Sequence, residues 1–326
     1  MAKIRVAVLC GGRSGEHEIS LRSAESIIAA MDPERYEVQR IVIARDGRWE
    51  PHTISPEPGG NPDIDVVFPV LHGTFGEDGT VQGLLELAGL PYVGAGVLAS
   101  AVSMDKEVMK RLMVERGLPV ADFLVVRRGQ YKIEEIGGRF PFPIFVKPAN
   151  LGSSVGISKV KSCEELPQAL ALAEEFDRKI VIERGIAGRE FECAVLGNDE
   201  PAAAVPCEIL PSREFYDYED KYILNRAETV LPADLTPEQI REVQRLAVAC
   251  YQAVECEGMA RVDFLMEAAT GKFFINEINT IPGFTSISMY PKMWEAAGVP
   301  YPKLIDRLIE LALERHRERE ATRYSR

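Results

Sequence analysis

Four residues near the C-terminal end have types and spacing that suit a hard cation: Arg261, Asp263, Glu277 and Asn279. They fall on two strand-like segments, residues 261–267 and 273–279, separated by a turn signal that ends on Gly271. A three-residue hairpin loop, Ala269-Thr270-Gly271, wants a positive-φ residue last, and Gly supplies it at little cost. That loop pairs Ala268 with Lys272, and counting back sets Asp263 opposite Glu277 and Arg261 opposite Asn279. Side chains alternate faces with period two, so all four share one face. Two carboxylates opposed at ~5 Å repel by about 3 kcal/mol at an effective dielectric of ~20. A cation between them relieves the repulsion. Carboxylate and amide oxygens without His or Cys suit Mg²⁺, which with few protein ligands also binds phosphate. The competing reading is two solvated strand acids and a surface Asn. A four-residue loop would turn Asp263 to the other face.

A second constellation lies mid-chain. A strand ends at Lys147, a Gly/Ser loop spans 150–156, and another strand leaves over 157–160. Small residues such as Ser153 and Ser154 let backbone N–H groups and hydroxyls approach phosphate, and Lys147 adds a point charge. This is not a Walker loop, because G-K-[ST] and its following helix are absent. An ordinary flexible hairpin is the alternative. Nearer the N-terminus, Glu16 sits in a loop too acidic for phosphate and suited to an ammonium group. A helix N-terminal carboxylate favoured by the dipole explains it equally well. His72 lies in a glycine-rich loop, residues 71–83, where a lone His is more often structural. Lys106 falls in the first turn of a helix, where a cation opposes the dipole and a bound anion resolves the conflict. The aromatic, charged, non-periodic stretch 214–225 suits a loop folding over something, with Lys221 and Tyr222 as its working pair. Residues 282–289 form a Gly/Ser/Thr loop that can present N–H groups.

These residues need elements to hold them. A continuous apolar strand over 3–9, a helix over 20–31 and strands over 38–44 and 66–70 give a β-α-β order and a parallel sheet. Ligands favour the carboxyl ends of such strands, where Glu16 and the loop 71–83 sit. The Gly-Gly loop after the first strand lacks G-x-G-x-x-G spacing, so a dinucleotide reading is weak. A helix over 80–88 follows. The weakly polar stretch 87–104 is interrupted by Gly89, Pro91, Gly94 and Gly96, and reads as buried strand and loops rather than a membrane span. A domain boundary falls near 103. Helices follow over 105–116, 163–176 and 236–254, the last with Thr236 as N-cap and Pro237 at N1. Strands at 179–183 and 191–196 flank a second boundary near 186. A final helix covers 301–315, and the charged tail 314–326 reads as a solvated, fraying end. The fold class is α/β, becoming α+β in the later domains: 1–103, 104–186 and 187–326.

The chain has 326 residues, enough for two or three cores, with 46% hydrophobic and 27% charged residues. A net charge of −12 without a basic block argues against nucleic acid and anionic membranes as partners. Six cysteines without C-x-x-C spacing fit a reduced cytoplasm, and four scattered histidines offer no zinc spacing. The N-terminal apolar run is too short for a signal peptide.

Taken together, segments 11–20, 71–83, 103–106, 146–160, 183–190, 215–222 and 261–288 resemble the D-alanine–D-alanine ligase family of the ATP-grasp superfamily. They cover nearly the whole chain in the right order. The resemblance implies an N-terminal substrate domain and an ATP-grasp pair of domains that hold ATP between two sheets. It implies ligation of two D-alanines through a D-alanyl phosphate, for peptidoglycan precursors, in a cytoplasmic enzyme that forms a homodimer through its N-terminal domain. By position, Glu16 would hold the first D-alanine's ammonium near His72, within a closing set with Ser153 and Tyr222. Lys106, Lys147, Lys221, Ser153, Ser154 and Asn276 would hold nucleotide. Glu183, Arg184 and Ile186 would meet adenine, and Glu190 the ribose. Asp263, Glu277 and Asn279 would hold two Mg²⁺, with Mn²⁺ as a substitute. Arg261 and the Gly283 N–H would stabilise the oxyanion, and Ser288 and Met289 would meet the second carboxylate. Arg184 stands where many relatives have Lys, which leaves the adenine edge open. Tyr222 favours the dipeptide over D-alanyl-D-lactate. D-Lactate or D-serine as second substrate, and an ATP-binding regulatory module without turnover, remain the alternatives.

Overall fold

The computed structural model describes residues 2–210, 228–285 and 287–323. The first sheet is built from β1 (Ile4–Gly11), β2 (Tyr36–Ile43), β3 (Trp49–Glu50) and β4 (Val66–Pro69), in the order β3-β2-β1-β4. β1 pairs in parallel with both β2 and β4. Val6, Val8 and Cys10 pack with Ile27 of α1 (His17–Ala30), while Ala7 and Leu9 pack on the opposite face with Leu85 of α2 (Thr80–Leu87). Burial on both faces is why β1 reads as an unbroken apolar run. α1 begins three residues earlier than the periodicity from Ser20 suggests, because Glu16 takes the N-cap position and its carbonyl accepts from the Ser20 N–H. The stretch 87–104, expected as strand and loops, instead carries the helix α3 (Val97–Met104). Gly96 precedes that helix as its N-cap rather than interrupting it.

The second sheet is antiparallel. α4 (Lys106–Glu115) is capped by Asp105, whose side chain accepts from the Glu107 and Val108 N–H groups. Then come β5 (Phe123–Arg127), α5 (Ile133–Gly137), β6 (Ile144–Pro148), β7 (Ser158–Val160), α6 (Leu166–Phe176) and β8 (Lys179–Arg184), with strand order β5-β8-β6-β7. Leu166, Leu170 and Ala173 of α6 pack on Ile144, Val146 and Ile182.

The third sheet comprises β9 (Gly188–Gly197), β10 (Ala202–Ala203), β11 (Cys207–Leu210), β12 (Glu228–Val230), β13 (Gly258–Glu267) and β14 (Phe273–Asn279). Its order is β12-β11-β9-β13-β14, with β10 on β9. α7 (Pro237–Ala253) covers it and starts with a full capping box between Thr236 and Gln239. α8 (Met289–Ala296) and α9 (Tyr301–Glu320) pack back onto the first sheet. α9 does not fray at residue 314. Arg315 is 3% exposed and donates to the Tyr92 and Gly94 carbonyls, and Arg319 pairs with Glu86 and Glu257.

In the β13–β14 hairpin, Arg261 pairs with Asn279 and Asp263 with Glu277, as counted from the sequence. The route to that register differs. The Glu267 N–H donates to the Lys272 carbonyl, so the loop has one residue more than expected. The register then shifts between Asp263 and Phe264, where Asn276 is the extra residue of a β-bulge. The shift cancels the longer loop.

Candidate active site

Three sheets contribute to one cleft of about 760 Å³, lined among others by Glu16, His72, Lys106, Ser153, Arg261, Glu277, Asn279, Gly283, Ser288 and Met289. Glu16 comes from the end of the β1–α1 loop. The Ser14 hydroxyl fixes that loop by donating to the His72 carbonyl, and it accepts from the Glu16 N–H. From the second sheet's β6–β7 loop, the Ser153 hydroxyl donates to Glu16 Oε1 at 2.6 Å. Ser153 and Ser154 both adopt left-handed backbone conformations, φ 54° and 60°. Such strain in residues bearing a β-carbon is held only where surrounding contacts over-determine it.

His72 is buried, with Nδ1 3.0 Å from the Ile281 carbonyl and Nε2 3.3 Å from Ser23 Oγ. Burial lowers its pKa against the pull of Glu16, so the ring is held neutral. Beside it the Glu77 carboxyl is pushed well above the usual range by burial and by Glu16. The far wall is the loop into α8. There Ser288 Oγ accepts from the Thr285 N–H, and a β-carbon on Gly283 would sit 2.8 Å from that same oxygen. Gly at 283 therefore lets the main chain approach the cleft.

A narrower cavity of about 70 Å³ adjoins, lined among others by Lys106, Lys147, Ser154, Glu190, Asp263, Asn276 and Glu277. The bulge accounts for two of these. Phe273, Ile275 and Ile278 are buried, whereas Phe274, Asn276, Glu277 and Asn279 are not, so the alternation skips at 276–277 and both polar residues reach the cleft. Lys147 Nζ donates to Glu183 Oε2 at 2.6 Å and to Asn276 Oδ1 at 3.3 Å. Lys106 Nζ donates to the Leu151 carbonyl at 2.5 Å. Burial opposes ionisation of Glu183, but Lys110 and Lys147 outweigh it and hold the carboxyl at about 2. Glu183 is buried at the end of β8, beside the half-buried Arg184 and Ile186. Arg184 pairs with Glu267 at 2.8 Å and stacks on Phe274. Lys221 and Tyr222 lie outside the described residues.

The acidic row is wider than the sequence reading allowed. Glu192 on β9 pairs with Asp263, which pairs with Glu277, so three carboxylates cross three strands. Arg261 holds Asp263 with two bonds of 2.7 Å, Nε to Oδ1 and Nη2 to Oδ2. Burial pushes Asp263 up to about 7, with Arg261 pulling down and Glu192 and Glu277 pushing up. Among the described residues no group of three His, Cys, Asp or Glu is arranged to hold a metal ion as it stands. The donor chemistry nonetheless fits a hard cation: oxygen atoms alone, and more buried acid than Arg261 neutralises.

Sequence reasoning missed Glu192 and Lys110. Both left a signal. Glu192 follows Glu190 at strand period, and Lys110 follows Lys106 at helical period.

The three-sheet arrangement, with Lys106 and Lys147 sharing the narrower cavity with Asp263 and Glu277 of the third sheet, is the ATP-grasp fold. Residues 5–61 and 55–95 match the family model described as D-ala D-ala ligase N-terminus, and residues 112–310 match D-ala D-ala ligase C-terminus. The chain is 65% identical over 324 residues to a D-alanine–D-alanine ligase of Solibacter usitatus, covering 99% of this chain and 100% of that one. It is 50% identical to that of Caldicellulosiruptor bescii, over the full length of both. Among solved structures, the D-alanine-D-alanine ligase from Coxiella burnetii superposes with a TM-score of 0.88 at 40% identity, covering 98% of this chain and 97% of the other. VanG D-Ala:D-Ser ligase from Enterococcus faecalis gives a TM-score of 0.88 at 36% identity, covering 95% and 100%. The chain belongs to the D-alanine–D-alanine ligase family.

Proposed function

We infer that this protein joins two D-alanines into D-alanyl-D-alanine at the expense of ATP, releasing ADP and phosphate, and so supplies a peptidoglycan precursor. The observation that carries the reading is the convergence, in one cleft, of an anchored acid for an ammonium group and of Arg261 beside the acidic row. Glu16, oriented by Ser153, holds the first D-alanine's ammonium. That substrate's carboxylate attacks the γ-phosphate, forming the acyl phosphate and ADP. The second D-alanine's amine attacks the acyl carbonyl, and phosphate leaves from the tetrahedral intermediate. Arg261 and the Gly283 N–H are donors for the developing oxyanion, and Ser288 and Met289 meet the second carboxylate. Neutral His72 lies by the first substrate without competing for its carboxylate.

Lys106, Lys147, Ser153, Ser154, Asn276 and Lys221 serve the nucleotide phosphates, Glu183, Arg184 and Ile186 the adenine, and Glu190 the ribose. Asp263, Glu277 and Asn279 would hold two Mg²⁺, or Mn²⁺ in their place, which neutralise phosphate charge when bound. Closure of the Gly/Ser loop with Tyr222 keeps water from the acyl phosphate. In this reading residues 1–103 form the substrate domain, and 104–186 with 187–326 the ATP-grasp pair. The enzyme acts in the cytoplasm as a homodimer, supported by the exposed Leu87, Val97 and Leu98 on α2 and α3. Among the described residues no helix is long and apolar enough to cross a membrane.

The test is phosphate release from Mg-ATP with product identification by mass spectrometry. Release that requires D-alanine, with the dipeptide as product, is expected. Release without D-alanine, or no dipeptide, contradicts the reading. D-Serine and D-lactate are run alongside, because a mixed product would move the chain to the related specificities.

A further inference from the structure

We propose that Glu192 is a positioning residue that takes the Arg261 guanidinium over from Asp263 when Asp263 turns to a divalent cation. The inference rests on the reading of Asp263 as a cation ligand given above. Arg261 occupies both Asp263 oxygens, at 2.7 Å each. A cation that takes the lone pairs now held by Arg261 has to displace the guanidinium, and a buried guanidinium left without a carboxylate is strongly unfavourable. A second carboxylate stands ready. Glu192 is 7% exposed, faces both cavities, and places Oε1 3.4 Å from Arg261 Nε. Its Oε2 is buried with no hydrogen-bond partner among the described residues. Two neighbouring cations are committed elsewhere: Lys147 to Glu183 and Lys106 to the Leu151 carbonyl. Glu192 and Asp263 are directly paired across β9 and β13, so the guanidinium can pass from one to the other by side-chain rotation alone.

The experiment measures Mn²⁺ binding to the full-length protein with ADP present, by the electron paramagnetic resonance signal of free Mn²⁺. Loss of the charge-assisted pair should weaken binding about tenfold in Glu192→Gln. Removing a nearby negative charge also weakens cation binding, so the same change is made in an Arg261→Met background. With no guanidinium to receive, the effect of Glu192→Gln there should fall below roughly threefold, the residue of bulk charge. An equal loss in both backgrounds assigns the effect to bulk charge and overturns the handover; so does no loss in the first. If Glu192→Gln fails to fold, Glu192→Asp keeps the charge but shortens the reach. It should still weaken binding at least about threefold, and wild-type binding in it overturns the proposal. Asp263→Asn separates the two levels. Mn²⁺ binding that survives Asp263→Asn removes the cation site and the handover together. Binding lost in Asp263→Asn but unchanged in Glu192→Gln removes the handover alone.

Discussion

The Ser153–Glu16 hydrogen bond ties the Gly/Ser loop to the N-terminal sheet across 137 positions of sequence. Ser153→Ala removes its donor. A hydrogen bond to an ionised acceptor contributes ~1.5–3 kcal/mol, and this one is only partly buried, so about 1.5–2 kcal/mol is expected. That weakens loop closure about 10- to 30-fold. The backbone gives an independent handle. Ser153 sits at φ 54°, a left-handed conformation that costs a residue with a β-carbon ~1 kcal/mol. Ala keeps that cost and Gly relieves it, so Ser153→Gly should close about fivefold better than Ser153→Ala. Both should fall short of wild type. The assay is steady-state kinetics in D-alanine, with phosphate and dipeptide counted separately. The expected signature is a raised KM for D-alanine and phosphate released without dipeptide, larger in Ala than in Gly. Wild-type KM and tight coupling in Ser153→Ala would refute the closure role. A Gly variant worse than Ala would refute the strain.

Glu277→Gln should lower turnover by about 100-fold or more while leaving the melting temperature within a few degrees, since it removes charge from a site where phosphate is neutralised. Near-normal turnover would count against Glu277 as a cation ligand. Lys110, 1% exposed and 3.1 Å from Glu183 Oε1, should show in stability. Lys110→Met breaks a buried pair from one side and should cost about 3 kcal/mol in denaturant unfolding, with a raised KM for ATP. Wild-type stability would refute the pairing. Acid titration tests the same cluster. Glu183 is held at about 2, below the ordinary carboxylate value of 4.5, so its stabilisation is complete above 4.5 and is lost as pH falls toward 2. The melting-temperature advantage of wild type over Glu183→Gln should therefore shrink through that window. An advantage that grows on acidification contradicts the sign.

The hairpin shows how far the sequence can be read. Gly271 marks the turn, and it does sit at φ 68°, but the turn has one residue more than the Ala269-Thr270-Gly271 count. That alone would have turned Asp263 away from the cleft. The bulge at Asn276 restores the facing, and no local residue signals it. A bulge is a property of two strands in register, not of one segment. The N-terminal β-α-β order and the α7 cap were legible because periodicity and capping are local. The helical tail was not, because charge alternation in α9 resembles solvated chain until Arg315 finds the Tyr92 and Gly94 carbonyls more than 200 positions away. α3 was missed for a related reason: glycines that precede a helix look like glycines that break one. The acids and lysines of the site were visible by type. Their contacts, above all the Arg261 grip on Asp263, depend on three strands meeting.

The most direct measurement is anomalous scattering from crystals grown with Mn²⁺ and a non-hydrolysable ATP analogue. Two peaks contacted by Asp263, Glu277 and Asn279, with the analogue's phosphates beside them, are predicted. Ions bound elsewhere, or Asp263 and Glu277 directed to opposite faces of the third sheet, would contradict the assignment of the acidic row as the nucleotide's cation site.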